Sequence, residues 1–255
     1  MPAESSMISK HPATLIGDPA NSSPLIICFH GSGDSCASWI PLAELLSTKY
    51  RVLLWDRQDP YMKPEPIING ILRYLDQAKL PPPYVLVAHS YGGMFVRLFL
   101  DRKHPDVAGV VLVETGQEAE ASKGIEERQY RNQILGNKPL VIIRGNTLIG
   151  KWKQYEEALV ATKDKTSPNL VAQKQMLDAA DKEDERLKKA QLALSRCHRY
   201  IHIPDCGHDL IQQRPEAVVK EIVWVMDHLQ PMNEHSTMGL KALVKFKRLK
   251  ERFLG

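Results

Sequence analysis

Cysteine is scarce in this chain: four residues in 255, Cys28, Cys36, Cys197 and Cys206, with no CxxC pair among them. This spacing leaves no redox dithiol and no dense disulfide frame, and a reduced, intracellular protein is the simplest expectation. Long apolar runs are missing as well. No stretch approaches the length of a membrane-spanning helix, and the start of the chain has no basic segment followed by an apolar run. No signal peptide is therefore expected, and the expected location is cytoplasmic. A surplus of one charge sign is also absent from most of the chain. The net charge is +4, but residues 239–255 hold six of the 34 Lys and Arg (Lys241, Lys245, Lys247, Arg248, Lys250 and Arg252) and one of the 30 acids, Glu251. The remaining 28 bases and 29 acids nearly cancel. The basicity belongs to a tail, and no motif accompanies it that would make nucleic acid an expected partner.

What is present suits one α/β domain, expected over residues 24–230. An apolar content of 43% with 25% charged residues is ordinary for a soluble globular chain of this length. Residues 1–23 are polar, with Ala13-Thr14-Leu15-Ile16 a candidate edge strand. Buried strands are predicted at Leu25–Phe29, Tyr50–Trp55, Tyr84–His89, Gly109–Glu114, Leu140–Arg144 and Tyr200–Ile203. Helical periodicity fills the gaps at about 37–48, 65–79, 93–103, 117–134, 151–196 and 215–229. Strands alternating with helices predict a mostly parallel sheet covered on both faces. The charged run Asp178–Lys189 mixes both signs and reads as a solvated helix face.

The richest segment is Tyr84-Val85-Leu86-Val87-Ala88-His89-Ser90-Tyr91-Gly92-Gly93. A buried strand runs into a glycine turn and a helix, with a serine at the corner. That arrangement strains the turn, projects the hydroxyl from the sheet edge and points a helix N-terminus at any oxyanion forming beside it. The pattern is Ala-x-Ser-x-Gly, alanine standing where a small residue must clear the following helix. A serine hydroxyl needs a base, most often a histidine itself oriented by a carboxylate. His208, in Pro204-Asp205-Cys206-Gly207-His208-Asp209-Leu210, follows the last strand on a loop able to bring an imidazole over Ser90. His30 reads as shaping the first loop, His202 as a strand residue, and His89 as lying on the opposite face of the nucleophile strand. His198, His202, Cys206 and His208 match no common zinc spacing, so neither a metal nor a cofactor is assigned.

Together, His30-Gly31-Ser32-Gly33, Trp55-Asp56-Arg57, the Tyr84–Gly93 segment, Gly109–Glu114 and Gly207-His208 resemble the α/β-hydrolase superfamily over residues 25–229. Within it the chain is similar to the esterase- or lipase-like serine hydrolases. The resemblance implies a mostly parallel sheet of about eight strands with helices on both faces. It implies a Ser90–His208–acid triad and an oxyanion hole from the backbone amides of Ser32 and Tyr91. It also implies a helical lid, for which 115–138 and 146–196 are the candidates, with Trp152, Tyr155, Leu159 and Val160 as an apolar face.

Two departures stand out. The loop after Leu140–Arg144 reads Gly145-Asn146-Thr147-Leu148-Ile149-Gly150 and contains no carboxylate, where many members carry an aspartate. Glu114, at the end of the preceding strand, is then the expected acid, with Asn146, a carboxylate from 178–184 or a dyad as alternatives. After Asp56-Arg57, the bulkier Gln58-Asp59-Pro60-Tyr61 stands where members often carry glycines, and the expectation is a narrower or differently shaped entrance. The expected reaction is hydrolysis of a small-molecule ester, thioester or lactone. The alternatives are C–C bond hydrolysis or lyase chemistry on the same fold, or a ligand-binding member with weak activity. Residues 231–255 are expected to form a basic amphipathic tail suited to an anionic membrane surface or a protein partner.

Overall fold

The computed structural model describes residues 12–57, 63–116 and 123–230. In chain order it contains β1 (Ala13–Ile16), β2 (Leu25–Phe29), α1 (Ile40–Ser47), β3 (Val52–Trp55), α2 (Pro64–Gln77), β4 (Tyr84–His89), α3 (Gly92–Lys103) and β5 (Val107–Val113). There follow α4 (Lys123–Arg131), β6 (Leu140–Arg144), α5 (Ile149–Ala161), α6 (Pro168–Ala190), β7 (His198–His202), α7 (Leu210–Gln213) and α8 (Pro215–Asp227). Among the described residues, seven strands form one sheet in the order β1-β3-β2-β4-β5-β6-β7. The pairings are parallel except that of β1, which closes the edge antiparallel to β3.

The central strands are continuous apolar runs because each of their faces meets a helical layer. Leu25, Ile27, Leu53, Leu86, Ala88, Val110, Leu112, Leu140 and Ile142 point to the side of α2 and α3. Their neighbours Ile26, Cys28, Leu54, Val85, Val87, Val111, Val113, Val141 and Ile143 point to the side of α1 and α8. Side-chain alternation along each strand thus builds two cores from one set of strands. A third, smaller cluster joins α5 to α6 through Tyr155, Leu170 and Leu177, with Trp152 and Leu159 packed on it. Val160, expected on that apolar face, is instead 85% exposed.

The sequence boundaries shift locally for identifiable reasons. The helix expected over 37–48 begins as a 3-10 turn, Cys36–Trp39, and becomes α-helical at Ile40, with Pro41 in its first turn. Tyr50 does not open β3, because its N–H closes the end of α1 on the Leu46 carbonyl at 3.0 Å. The strand expected at Tyr200–Ile203 runs from His198 to His202, in register with β6. The basic tail expected at 231–255, the entrance segment expected at Gln58–Tyr61 and the start of the segment 117–134 lie outside the described residues. Among the described residues, no helix is long and apolar enough to cross a membrane.

Candidate active site

Two residues at adjacent strand ends share one backbone device. Ser90 follows β4 with φ +52°, and Glu114 follows β5 with φ +53°. Each first extends the ladder with its amide, Ser90 N–H to the Val113 carbonyl and Glu114 N–H to the Ile143 carbonyl, both at 2.9 Å. Each then turns in the left-handed region, which costs a non-glycine residue about 1–2 kcal/mol. The turn takes each residue out of the strand path at the carboxyl edge of the sheet. Ser90 can hold this corner because Gly92 starts α3 tightly against β2. A Cβ at Gly92 would collide with the Phe29 carbonyl oxygen.

His208 comes to Glu114 from a loop far along the chain. Its Nδ1 lies 3.3 Å from Glu114 Oε2, and the other oxygen, Oε1, accepts the Gly145 N–H at 2.5 Å. Gly145 permits this approach, since a Cβ there would collide with the Gly207 carbonyl oxygen. Asn146 N–H donates to the Cys206 carbonyl at 2.7 Å, joining the loops after β6 and β7. The Asn146 side chain is engaged within these loops, donating to the Pro204 carbonyl and accepting from Leu148 N–H. Ser90 and His208 line a common cavity of about 200 Å³, with Ser32, His89, Asp34 and Asp209 also on its wall.

The Ser32 loop is held from behind. Arg57 donates to the carbonyls of His30 and Gly31 at 2.6 and 2.5 Å, and its guanidinium lies over the Phe95 ring at 4.8 Å. His30 Nδ1–H donates to the Gly31 carbonyl at 2.9 Å, leaving Nε2 to accept the Arg57 amide at 3.2 Å. Burial and the neighbouring Arg57 charge lower the His30 pKa and favour this neutral ring, against the pull of Asp56 3.3 Å away. Tyr91, the other expected oxyanion donor, is the N-cap of α3. Backbone N–H groups at a helix start have no partner within the helix.

Three neighbours of the site were not legible in the sequence. His89, expected on the opposite face of its strand, lies beside His208, with ring centroids 4.7 Å apart. Its Nε2–H donates to the His208 carbonyl at 2.8 Å, and burial lowers its pKa, so the ring is held neutral. Lys188 and Asp184 belong to the run expected to be a solvated helix face, yet their side chains are only 1% and 12% exposed. They turn inward because β6 ends in a buried arginine. Arg144 bonds Asp184 at 2.7 Å and Asp181 at 2.6 Å, and Lys188 Nζ reaches Asp184 Oδ1 at 2.9 Å. Lys188 Nζ also lies 3.8 Å from Glu114 Oε2. Burial opposes the Asp184 charge, but its bonds to Arg144 and Lys188 outweigh that and lower its pKa. Asp178, Asp181 and Asp184, the aspartates among the alternative acids of 178–184, therefore serve cations, while Glu114 faces His208.

The profile of the Alpha/beta hydrolase family matches residues 26–221 of the sequence. The chain belongs to this family. Among solved structures, this α/β-hydrolase is similar to MenH from S. aureus, with 13% identity and a TM-score of 0.54 over 86% of this chain and 98% of that one. It is also similar to a thermophilic esterase from Thermogutta terrifontis, with 16% identity and a TM-score of 0.53 over 86% and 93% of the two chains. At these identities the likeness is one of fold. Among curated relatives, "Probable transporter efuK" of Hormonema carpetanum is 23% identical over 84% of this chain, which spans 41% of that protein's length. "Uncharacterized protein YqjL" of Bacillus subtilis is 22% identical over 77% of this chain and 81% of its own.

Proposed function

We propose that this α/β-hydrolase is a serine hydrolase that cleaves a carboxylic ester, thioester or lactone through an acyl-enzyme. The observation that carries the reading is the approach of His208 Nδ1 to a buried Glu114 carboxylate, on the wall of the cavity that also holds Ser90. Ser90 Oγ attacks the substrate carbonyl while His208 Nε2 takes the hydroxyl proton. The backbone amides of Ser32 and Tyr91 hold the oxyanion, a donor worth about 3 kcal/mol when one is lost. The tetrahedral intermediate expels the alcohol or thiol, which leaves with the proton from His208. Water then attacks the acyl-enzyme with His208 again as base, releasing the acid and restoring Ser90. Glu114 keeps the proton on Nδ1 and offsets the imidazolium charge. A cavity of about 200 Å³ favours a small acyl group. Residues 146–196, whose helices α5 and α6 pack on each other, are the lid in this reading.

A fluorophosphonate probe read by intact mass tests the assignment. Wild type is expected to gain one adduct, and Ser90→Ala none. His208→Ala should slow labelling by roughly a thousandfold, and Glu114→Ala by less. Folded wild type that gains no adduct would overturn the hydrolase reading. Unchanged labelling in Glu114→Ala would remove Glu114 alone. Given an active enzyme, comparing short acyl esters with β-diketones and cyanohydrins separates ester hydrolysis from C–C hydrolysis and lyase chemistry.

A further inference from the structure

A lysine with no exposed charge is costly to bury, because its desolvation is offset only by well-placed anions. Lys188 stands in such a place. It enters from α6 with its side chain 1% exposed and meets two carboxylates, Asp184 at 2.9 Å and Glu114 at 3.8 Å. The Glu114 oxygen nearest Lys188 is Oε2, which also faces His208 Nδ1 at 3.3 Å. The other oxygen is bonded to Gly145 N–H. Lys188 therefore shares a carboxylate oxygen with the candidate base.

The charges around this oxygen form a set. Asp184 and Asp181, on α6, both pair with Arg144, at the end of β6. Glu114, Asp184 and Asp181 together face Lys188 and Arg144, leaving one negative charge in excess. A proton on His208 would balance it. Near Glu114 there are also His89, at the end of β4 and held neutral by burial, and the Cys206 thiol, raised by burial. Tyr200, on β7 beside Arg144, is likewise raised by burial. On the cavity side His208 shares a wall with Asp34 and Asp209, which lie on the loops after β2 and β7. Without Lys188 the excess around Glu114 would grow to two negative charges, and the pull of that carboxylate on a His208 imidazolium would be stronger.

We propose that Lys188 is a positioning residue which, from helix α6, seats Glu114 against His208 and limits how strongly that acid holds the imidazolium. The catalytic meaning rests on the serine hydrolase reading; the electrostatic coupling does not.

The test is an NMR titration of the His208 ring in the full chain, for wild type, Lys188→Met and Asp184→Asn. It needs no turnover. Lys188→Met should raise the midpoint by about one pH unit, the effect of a unit charge several ångströms away in a protein-like dielectric. Asp184→Asn, whose single amide oxygen can still accept from Arg144 or Lys188 though not from both, removes the negative charge and should lower it. That ordered pair of shifts supports the proposal, and a purely structural clamp does not predict it. Unchanged midpoints, two shifts of the same sign, or the pair reversed overturn it. If Lys188→Met does not fold, Asp184→Asn decides alone: a fall supports the coupling and its absence overturns it. Fluorophosphonate labelling of the same proteins separates the two readings. The expected ring shifts without any Ser90 adduct would retain the coupling and discard the hydrolase. A wild-type adduct with unmoved ring midpoints would do the reverse.

Discussion

Several side chains of the candidate site do their work by holding a neighbour, and Arg57 shows this most directly. Its planar fork spans the carbonyls of His30 and Gly31, the two peptide groups leading into the candidate oxyanion amide of Ser32. Lysine keeps the charge but cannot make two parallel bonds. Arg57→Lys should therefore slow fluorophosphonate labelling by about tenfold or more, consistent with a partly misaimed oxyanion donor, while Ser90 still forms its adduct. A labelling rate equal to wild type would show that the Ser32 loop holds its shape without the fork. The meeting of Ser90 and His208 on one cavity wall was legible in the sequence because each sits in a short, local pattern at a strand end. Glu114 beside His208 was expected on a different ground: the resemblance, in which some lipases place their acid at that strand end, together with the lack of any carboxylate at 145–150. His89, Lys188 and Asp184 were not legible in these places, because the groups that draw them in, the His208 carbonyl, Glu114 and Arg144, lie far away in sequence and no local pattern records that distance. The mixed charge of Asp178–Lys189 describes its outer face well and conceals the two residues that turn inward.

Among the strands and helices, alternation was plain from apolar periodicity, and so was the parallel sheet. What periodicity does not contain is how closely two loops approach. Gly145 is the clearest case, since an added Cβ would collide with the Gly207 carbonyl oxygen and lie 2.9 Å from that of Cys206, backbone atoms that cannot swing aside. Gly145→Ala should push apart the loops that follow β6 and β7 and move His208 away from Glu114. The expected result is a labelling rate at least about tenfold lower with a loss of about 1–3 kcal/mol of stability, the usual cost of overpacking. Gly92→Ala meets the Phe29 carbonyl oxygen, at the packing of α3 on the sheet. Its thermal midpoint should fall further, because the clash lies between the central layers of the fold. A Gly145→Ala protein that labels at the wild-type rate would mean that the loops can separate without carrying the imidazole with them.

For the protein taken entire, the buried histidines tie folding to pH. His30 and His89 are 2% and 6% exposed, and burial lowers the pKa of each below histidine's ordinary value of about 6.5. In the unfolded chain both rings take up protons as pH falls through that value; in the folded protein they resist until lower pH. The unfolded state thus binds more protons in this interval, and stability decreases as the pH is lowered. Each ring contributes at most about 1.4 kcal/mol per pH unit. Asp184 adds a separate loss at greater acidity, because its lowered pKa favours the folded state only while it remains ionised. The thermal midpoint should accordingly drop between about pH 7.5 and 5.5, the interval spanning the ordinary histidine value. His89→Gln can still donate to the His208 carbonyl but cannot titrate, so its midpoint should depend less steeply on pH over the same interval. Differential scanning calorimetry of the two proteins makes the comparison. Parallel pH profiles would show that His89 takes up its proton without cost to the fold, and would leave the whole slope to His30 and the other titrating groups.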